Sequence, residues 1–285
     1  MKRQIIDMRS RPSFLHDFYG ATPGSTEYEV ARWLNRRVGS NNDEHFIRSK
    51  TINGFVDEIS EAGITQAVVV GRDIPGIRIP NDSIQEITLP HNELIGVGSV
   101  DPQAQEIGAT LKEIERAILT LGLSGINIEP GFGATPMGAD DPSLYPVYDA
   151  CCQLDVPVFL MSGPTSPSLE YTDPAAVGKI ARAFPKLSIV CYHGFYPYVN
   201  EMIGVAFRHE NVYVVPDMYI FLPGGGLYIE AANGFMKDQL LFGTSYPFRA
   251  MKQTIDDFLR LGLKEEALDP VLYQNAKRLL RLEVI

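Results

Sequence analysis

Three short stretches hold the side chains best suited to chemistry. In "IIDMRSRP" (residues 5–12) Asp7, Arg9 and Arg11 recur at every second position. On a β-strand that spacing puts all three on one face, with the two guanidiniums about 7 Å apart. Neither arginine can shed its proton, so facing an interior the pair calls for an anion, and facing water it means little. In "GINIEP" Ile126 and Ile128 share one face and Asn127 and Glu129 the other. With the isoleucines packed on helices, an amide and a carboxylate point inward. "LSIVCYHG" brings His193 in phase with Ile189 and Cys191. Histidine suits proton transfer near neutral pH. At a strand end before Gly194, His193 is read as a candidate acid/base, against the alternative of a core histidine bonded to a backbone carbonyl.

These residues need elements to position them. Strands are expected at about 4–10 and in "QAVVVGR", "LIGVGSVDP", "SGINIEP", "VPVFLMSG", "LSIVCYHG", "NVYVVPDMY" and "QLLFGTSYP", with helical patterns between them. Eight strands alternating with helices, with no break in composition, predict an α/β chain forming a single (β/α)8 TIM barrel over residues 1–285. Residues 11–50, including the amphipathic "TEYEVARWLNRR", form an insertion after the first strand, expected to act as a lid. An extra C-terminal helix follows in "EALDPVLYQNAKRLLRL".

In such a barrel the C-terminal strand ends line the mouth where chemistry sits. That adds Arg72, in phase with Val68 and Val70, and Asp217, in phase with Tyr213 and Val215. It adds Ser245, Tyr246 and Arg249 around the eighth strand as well. Ser245 lacks a Gly-x-Ser-x-Gly elbow, so a hydrogen-bonding role is preferred to a nucleophilic one. "PGGG" at 223–226 reads as a turn. His16, Trp33 and His45 lie in the insertion, over the mouth or simply on the surface. His91 and His209 lead into strands, away from the mouth.

The net charge of −10, from 25 basic and 35 acidic residues, opposes nucleic acid and anionic membranes as partners. It also repels small anions, so any anion site must be built locally from arginines. No charged-then-apolar leader and no apolar run near 18 residues is present, so neither export nor a membrane span is expected. Three cysteines, two of them adjacent, suit a reducing cytoplasm better than a disulfide framework. Association into a homo-oligomer is left open.

The chain resembles the amidohydrolase-related family of metal-assisted (β/α)8 hydrolases and decarboxylases, a group with pyrone-dicarboxylate lactonase-like and aminocarboxymuconate-semialdehyde decarboxylase-like members. The likeness rests on "IIDMRSRP", "GVGSVDP", "GINIEP", "LYPVYDACCQLDVPVFLMSG", "FPKLSIVCYHGFYP", "NVYVV", "LLFGTSYP" and "QNAKRLL", in that order. The resemblance implies a metal held by His-x-His on strand one, histidines ending strands five and six, and an aspartate on strand eight. At those positions stand Arg9 and Arg11, Met161, His193 and Ser245. Arginine cannot ligate a cation, methionine is a poor partner for zinc, and serine is a weak neutral ligand. No metal and no other cofactor is therefore expected.

The expected function is a metal-independent hydrolase acting on an ester or lactone of a small carboxylated molecule. His193, Glu129 and Ser245 are its candidate catalytic residues. Arg9, Arg11, Asn127, Arg72, Asp217, Tyr246 and Arg249 are its candidate substrate-binding residues. Glu129 serves either as a second proton-transfer group or as the tether of an arginine. The alternatives are a decarboxylase, hydratase or isomerase of a similar acid, and a non-catalytic anion-binding barrel in which Arg9 and Arg11 pair with Asp7 and Glu129.

Overall fold

Strand β1 (Ile6–Ser10) starts a parallel sheet whose strands follow in chain order around a barrel. The computed structural model describes residues 3–103 and 106–282. The sheet continues through β2 (Gln66–Val70), β5 (Leu94–Ser99), β6 (Ile126–Ile128), β7 (Val158–Met161), β8 (Ile189–Tyr192) and β9 (Val212–Val215). A small antiparallel hairpin, β3 (Arg72–Ile74) with β4 (Ile77–Ile79), rises from the end of β2. The expected eighth strand is present as hydrogen bonding without a regular ladder. Its Leu241 N–H donates to Val214 O on one side, while on the other it accepts from Met8 N–H at Phe242 O and donates from Ser245 N–H to Arg9 O. A positive φ at Ser245 breaks its pleat.

The helices lie between the strands: α1 (Thr26–Arg37), α2 (Glu44–Arg48), α3 (Ile52–Ala62), α4 (Asn81–Thr88), α5 (Ile107–Glu115), α6 (Tyr145–Gln153), α7 (Pro174–Ala183), α8 (Val199–Arg208) and α9 (Leu227–Ala232). α10 (Met251–Leu259), α11 (Glu265–Asp269) and α12 (Asn275–Leu279) close the chain, the last two joined by a single π-turn. α1 coincides with the amphipathic stretch of the insertion. Ser25 Oγ caps it by accepting from Tyr28 N–H, with acids in its first turn and arginines in its last, as the helix dipole favours.

Two apolar layers follow from strand alternation. Ala67, Val69, Ile126, Ile128, Leu160, Ile189 and Cys191 face the helices. Ile6, Met8, Val68, Val70, Val97, Phe159, Val190, Tyr192 and Val215 fill the barrel, where Tyr273, Ala276 and Leu279 of the C-terminal helices join them. This alternation confirms Asn127 and Glu129 as inward-facing.

The shared face expected for Asp7, Arg9 and Arg11 is corrected. Asp7 pairs with Ala67 and Ser10 with Val69, so β1 spends one more residue than β2 over the same span. A β-bulge of this kind reverses the phase. Asp7 stays in the wall, accepting from the N–H groups of Arg9 and Thr244 and from the Thr244 hydroxyl. Arg9 and Arg11 turn to the interior without it. The phase expected for His193 is corrected likewise. Ile189 and Cys191 face the helices, and His193 reaches the mouth through a positive φ of 61°.

Candidate active site

Seven of the expected residues meet at the mouth: Arg9, Arg11, Arg72, Asn127, Glu129, His193 and Asp217. All are buried. They form two linked groups.

The first centres on His193. Its Nδ1 lies 2.9 Å from Asp217 Oδ1, and its backbone N–H donates to Asp217 Oδ2. A carboxylate can only accept, so Nδ1 carries the proton and the lone pair resides on Nε2. Arg9 Nη2 stands 3.3 Å from that Nε2 and 2.9 Å from Met161 Sδ, and Arg9 Nε is 3.5 Å from Asp217 Oδ2. The Arg9 guanidinium lies over the Tyr192 ring at 4.6 Å, and Tyr219 meets the imidazole edge-on at 4.9 Å. Burial, seconded by the Arg9 charge, outweighs Asp217 and lowers the His193 pKa below the ordinary histidine value.

The second group centres on Glu129. Arg72 donates from Nε to Glu129 Oε2 at 2.9 Å, with Nη2 equally close. Asn127 Nδ2 donates to Oε1 at 3.2 Å, and Arg11 Nη2 approaches it at 4.0 Å. Arg11 also donates to the carbonyls of Val70 and Gly71, at 2.7 and 3.0 Å. Burial pulls the Arg11 pKa down to about 10. Glu129 thus lies against two arginines, in contact with Arg72 and at longer range from Arg11.

Aromatic side chains that sequence reasoning missed lie against the arginines, Phe18 and Tyr19 from the insertion and Phe132 from the segment after β6. Phe18 and Phe132 sandwich the Arg72 guanidinium at 5.3 and 5.6 Å, and Tyr19 lies over Arg11 at 5.5 Å. "DFY" at 17–19, two adjacent aromatics in a polar stretch, was the available signal. The histidines and Trp33 do not do this. His45 is buried against Pro247 O, with its pKa pushed down to about 4 by burial. His16 caps the Phe18 N–H, and Trp33 is half exposed.

Two expected substrate-binding residues lie elsewhere. Tyr246 turns outward and donates its hydroxyl to His45 O, among His45 and Phe55. Arg249 is spent on Val38 O, Asp257 and the Phe221 ring. Both sit just past the irregular eighth strand, where alternation no longer reports direction. Ser245 contributes through its backbone, fixing Arg9 O.

Charge and satisfaction describe what the site accepts. Three guanidiniums face two carboxylates, leaving one positive charge in excess. Two buried polar atoms of this region, Arg9 Nη1 and Asn127 Oδ1, find no hydrogen-bond partner among the described residues. An unsatisfied buried donor costs about 1–3 kcal/mol, more for a charged one, and an anion accepting from it removes that cost. Among the described residues no three His, Cys, Asp or Glu side chains are grouped to hold a metal ion, and both His193 nitrogens already have partners.

A barrel of this topology with its polar cluster at the strand ends is an enzyme scaffold of the TIM-barrel class. The chain belongs to the amidohydrolase family, whose model matches residues 55–282. It is 35% identical to an uncharacterized TIM-barrel protein from Bordetella bronchiseptica, covering 98% of each chain with a TM-score of 0.89. It is 37% identical over 81 residues to 2-amino-3-carboxymuconate-6-semialdehyde decarboxylase of Dictyostelium discoideum, a match spanning 28% of this chain and only 21% of that relative. At fold level it is similar to a 2,6-dihydroxybenzoate decarboxylase solved with 2,6-dihydroxybenzoate (18% identity, TM-score 0.71, 98% and 100% of the chains). A probable 2-pyrone-4,6-dicarboxylic acid hydrolase from Acinetobacter baumannii, with citric acid bound, is similar too (13% identity, TM-score 0.64, 99% and 100%). Both decarboxylases and a hydrolase therefore stand among its neighbours. Among the described residues no helix is long and apolar enough to cross a membrane, and Cys151, Cys152 and Cys191 are free.

Proposed function

We propose that this chain is a metal-independent hydrolase of an ester or lactone in a small carboxylated molecule. The observation that carries the reading is the unpartnered, buried Arg9 Nη1 beside a neutral, oriented His193. Arg9 binds the substrate carboxylate, and the field of Arg11 and Arg72 adds to the attraction. His193 Nε2 takes a proton from water as the water oxygen adds to the acyl carbon. The imidazolium so formed is stabilised by Asp217 at Nδ1 and then delivers its proton to the departing alkoxide oxygen. The arginine charge stabilises the oxyanion in a buried site, where the low dielectric strengthens the interaction. Asn127 positions substrate through Oδ1, which is held in place by the Nδ2 contact to Glu129 and accepts from a substrate donor; Ser245 acts indirectly, by fixing Arg9 O.

A second reading, decarboxylation, is favoured by the name of the Dictyostelium relative. Against it, a carboxylate held by arginine is stabilised against loss as carbon dioxide. A panel of carboxylated lactones, esters and unsaturated diacids, followed by absorbance and by carbon dioxide release, separates the two. Ring opening without gas, unaffected by chelator, is the expected result. Carbon dioxide release as the sole activity overturns it.

A further inference from the structure

The base that activates water is covered. His193 Nε2 holds the lone pair, and Arg9 Nη2, which can only donate, stands 3.3 Å from it. The imidazole is held in place. Asp217 bonds its Nδ1 at 2.9 Å and its backbone N–H as well, and the Tyr219 ring packs against it at 4.9 Å. Any release must come from the arginine.

Arg9 is the arginine able to move. Arg11 is bound to two carbonyls and Arg72 to a carboxylate at 2.9 Å. Arg9 touches a thioether, a neutral imidazole, the face of the Tyr192 ring and a carboxylate at the long distance of 3.5 Å, while Nη1 has no partner among the described residues. A charge-assisted bond to a new carboxylate is stronger than the bonds it would give up to sulfur and imidazole.

We propose that Arg9 is a carboxylate-operated cover on His193. Without ligand its guanidinium occupies the Nε2 lone pair. A substrate carboxylate accepting from Nη1 draws the guanidinium aside and frees the base. This rests on the hydrolase reading above and adds a selection rule: an ester without a carboxylate meets a covered base, so it loses kcat as well as affinity.

The test uses the full chain labelled with 15N-histidine at fixed pH 8, with His193 assigned by a His193→Gln variant. Benzoate is the probe, benzamide its uncharged control, and calorimetry measures binding separately. Benzoate is expected to shift the His193 Nε2 resonance toward that of an unbonded imidazole nitrogen, and benzamide to leave it in place. Arg9→Met is expected to show the shifted position with no ligand. In that variant the kcat ratio of carboxylated to neutral ester should fall about tenfold or more. If benzoate binds and the wild-type resonance stays, the cover is refuted while carboxylate capture survives. If benzoate does not bind, carboxylate capture fails and the cover with it. The wild-type titration decides the matter even if Arg9→Met does not fold.

Discussion

His193 Nδ1 and Asp217 Oδ1 lie 2.9 Å apart, and both residues have positive φ, at 61° and 43°. Two neighbouring strands end in conformations that L-residues rarely adopt, and the product is one oriented imidazole. The arrangement fixes the tautomer and leaves the proton-accepting nitrogen toward the arginines.

Replacing Asp217 with Asn keeps the shape but removes the charge that stabilises the imidazolium. Turnover is expected to fall by about 10²- to 10⁴-fold with little change in affinity for the carboxylate. Steady-state kinetics on a carboxylated lactone, with calorimetry for a non-reacting acid, checks the split.

The pH dependence follows from the lowered pKa of His193. The protonated imidazole is inactive, so kcat/KM should rise with pH and have its acid midpoint below about 6.5, the ordinary histidine value. A midpoint above that value contradicts the burial argument.

Asp7 gives a stability signature of the opposite sense. Burial raises its pKa from 3.8 to about 7, against the bonds it accepts from Thr244 and Arg9. A raised carboxyl pKa contributes stability below the unfolded value, and this is lost as pH climbs through the folded one. Unfolding free energy should therefore decline between about pH 4 and 7 with a slope approaching 1.4 kcal/mol per pH unit from this group. Asp7→Asn should flatten that decline in urea titrations.

Arg72→Met leaves Glu129 buried with its principal partner gone. A loss of about 3–5 kcal/mol is expected, and the double variant Arg72→Met with Glu129→Gln should recover a large part of it. Chemical denaturation of the four proteins in the cycle measures the coupling.

Prolonged dialysis against a chelator should leave activity intact, and added zinc or manganese should not raise it. The assay is turnover alongside elemental analysis. A metal-restored activity would overturn the metal-independent reading.

The sequence by itself determined the order of elements, the barrel, the α1 helix and the inward face of Asn127 and Glu129. Period-two and period-3.6 patterns are local, so they survive in the one-dimensional record. It also showed that guanidiniums stand where the family resemblance implies metal ligands. Only the tertiary structure decided which carboxylate each arginine meets. The bulge in β1, where Asp7 to Ser10 spans Ala67 to Val69, puts Arg9 and Asp7 on different faces. His193 points inward because a positive φ overrides its strand phase, and Phe18 and Tyr19 reach the arginines across the insertion. Each of these depends on register or on contacts between residues far apart in the chain, which strand and helix periodicity does not encode.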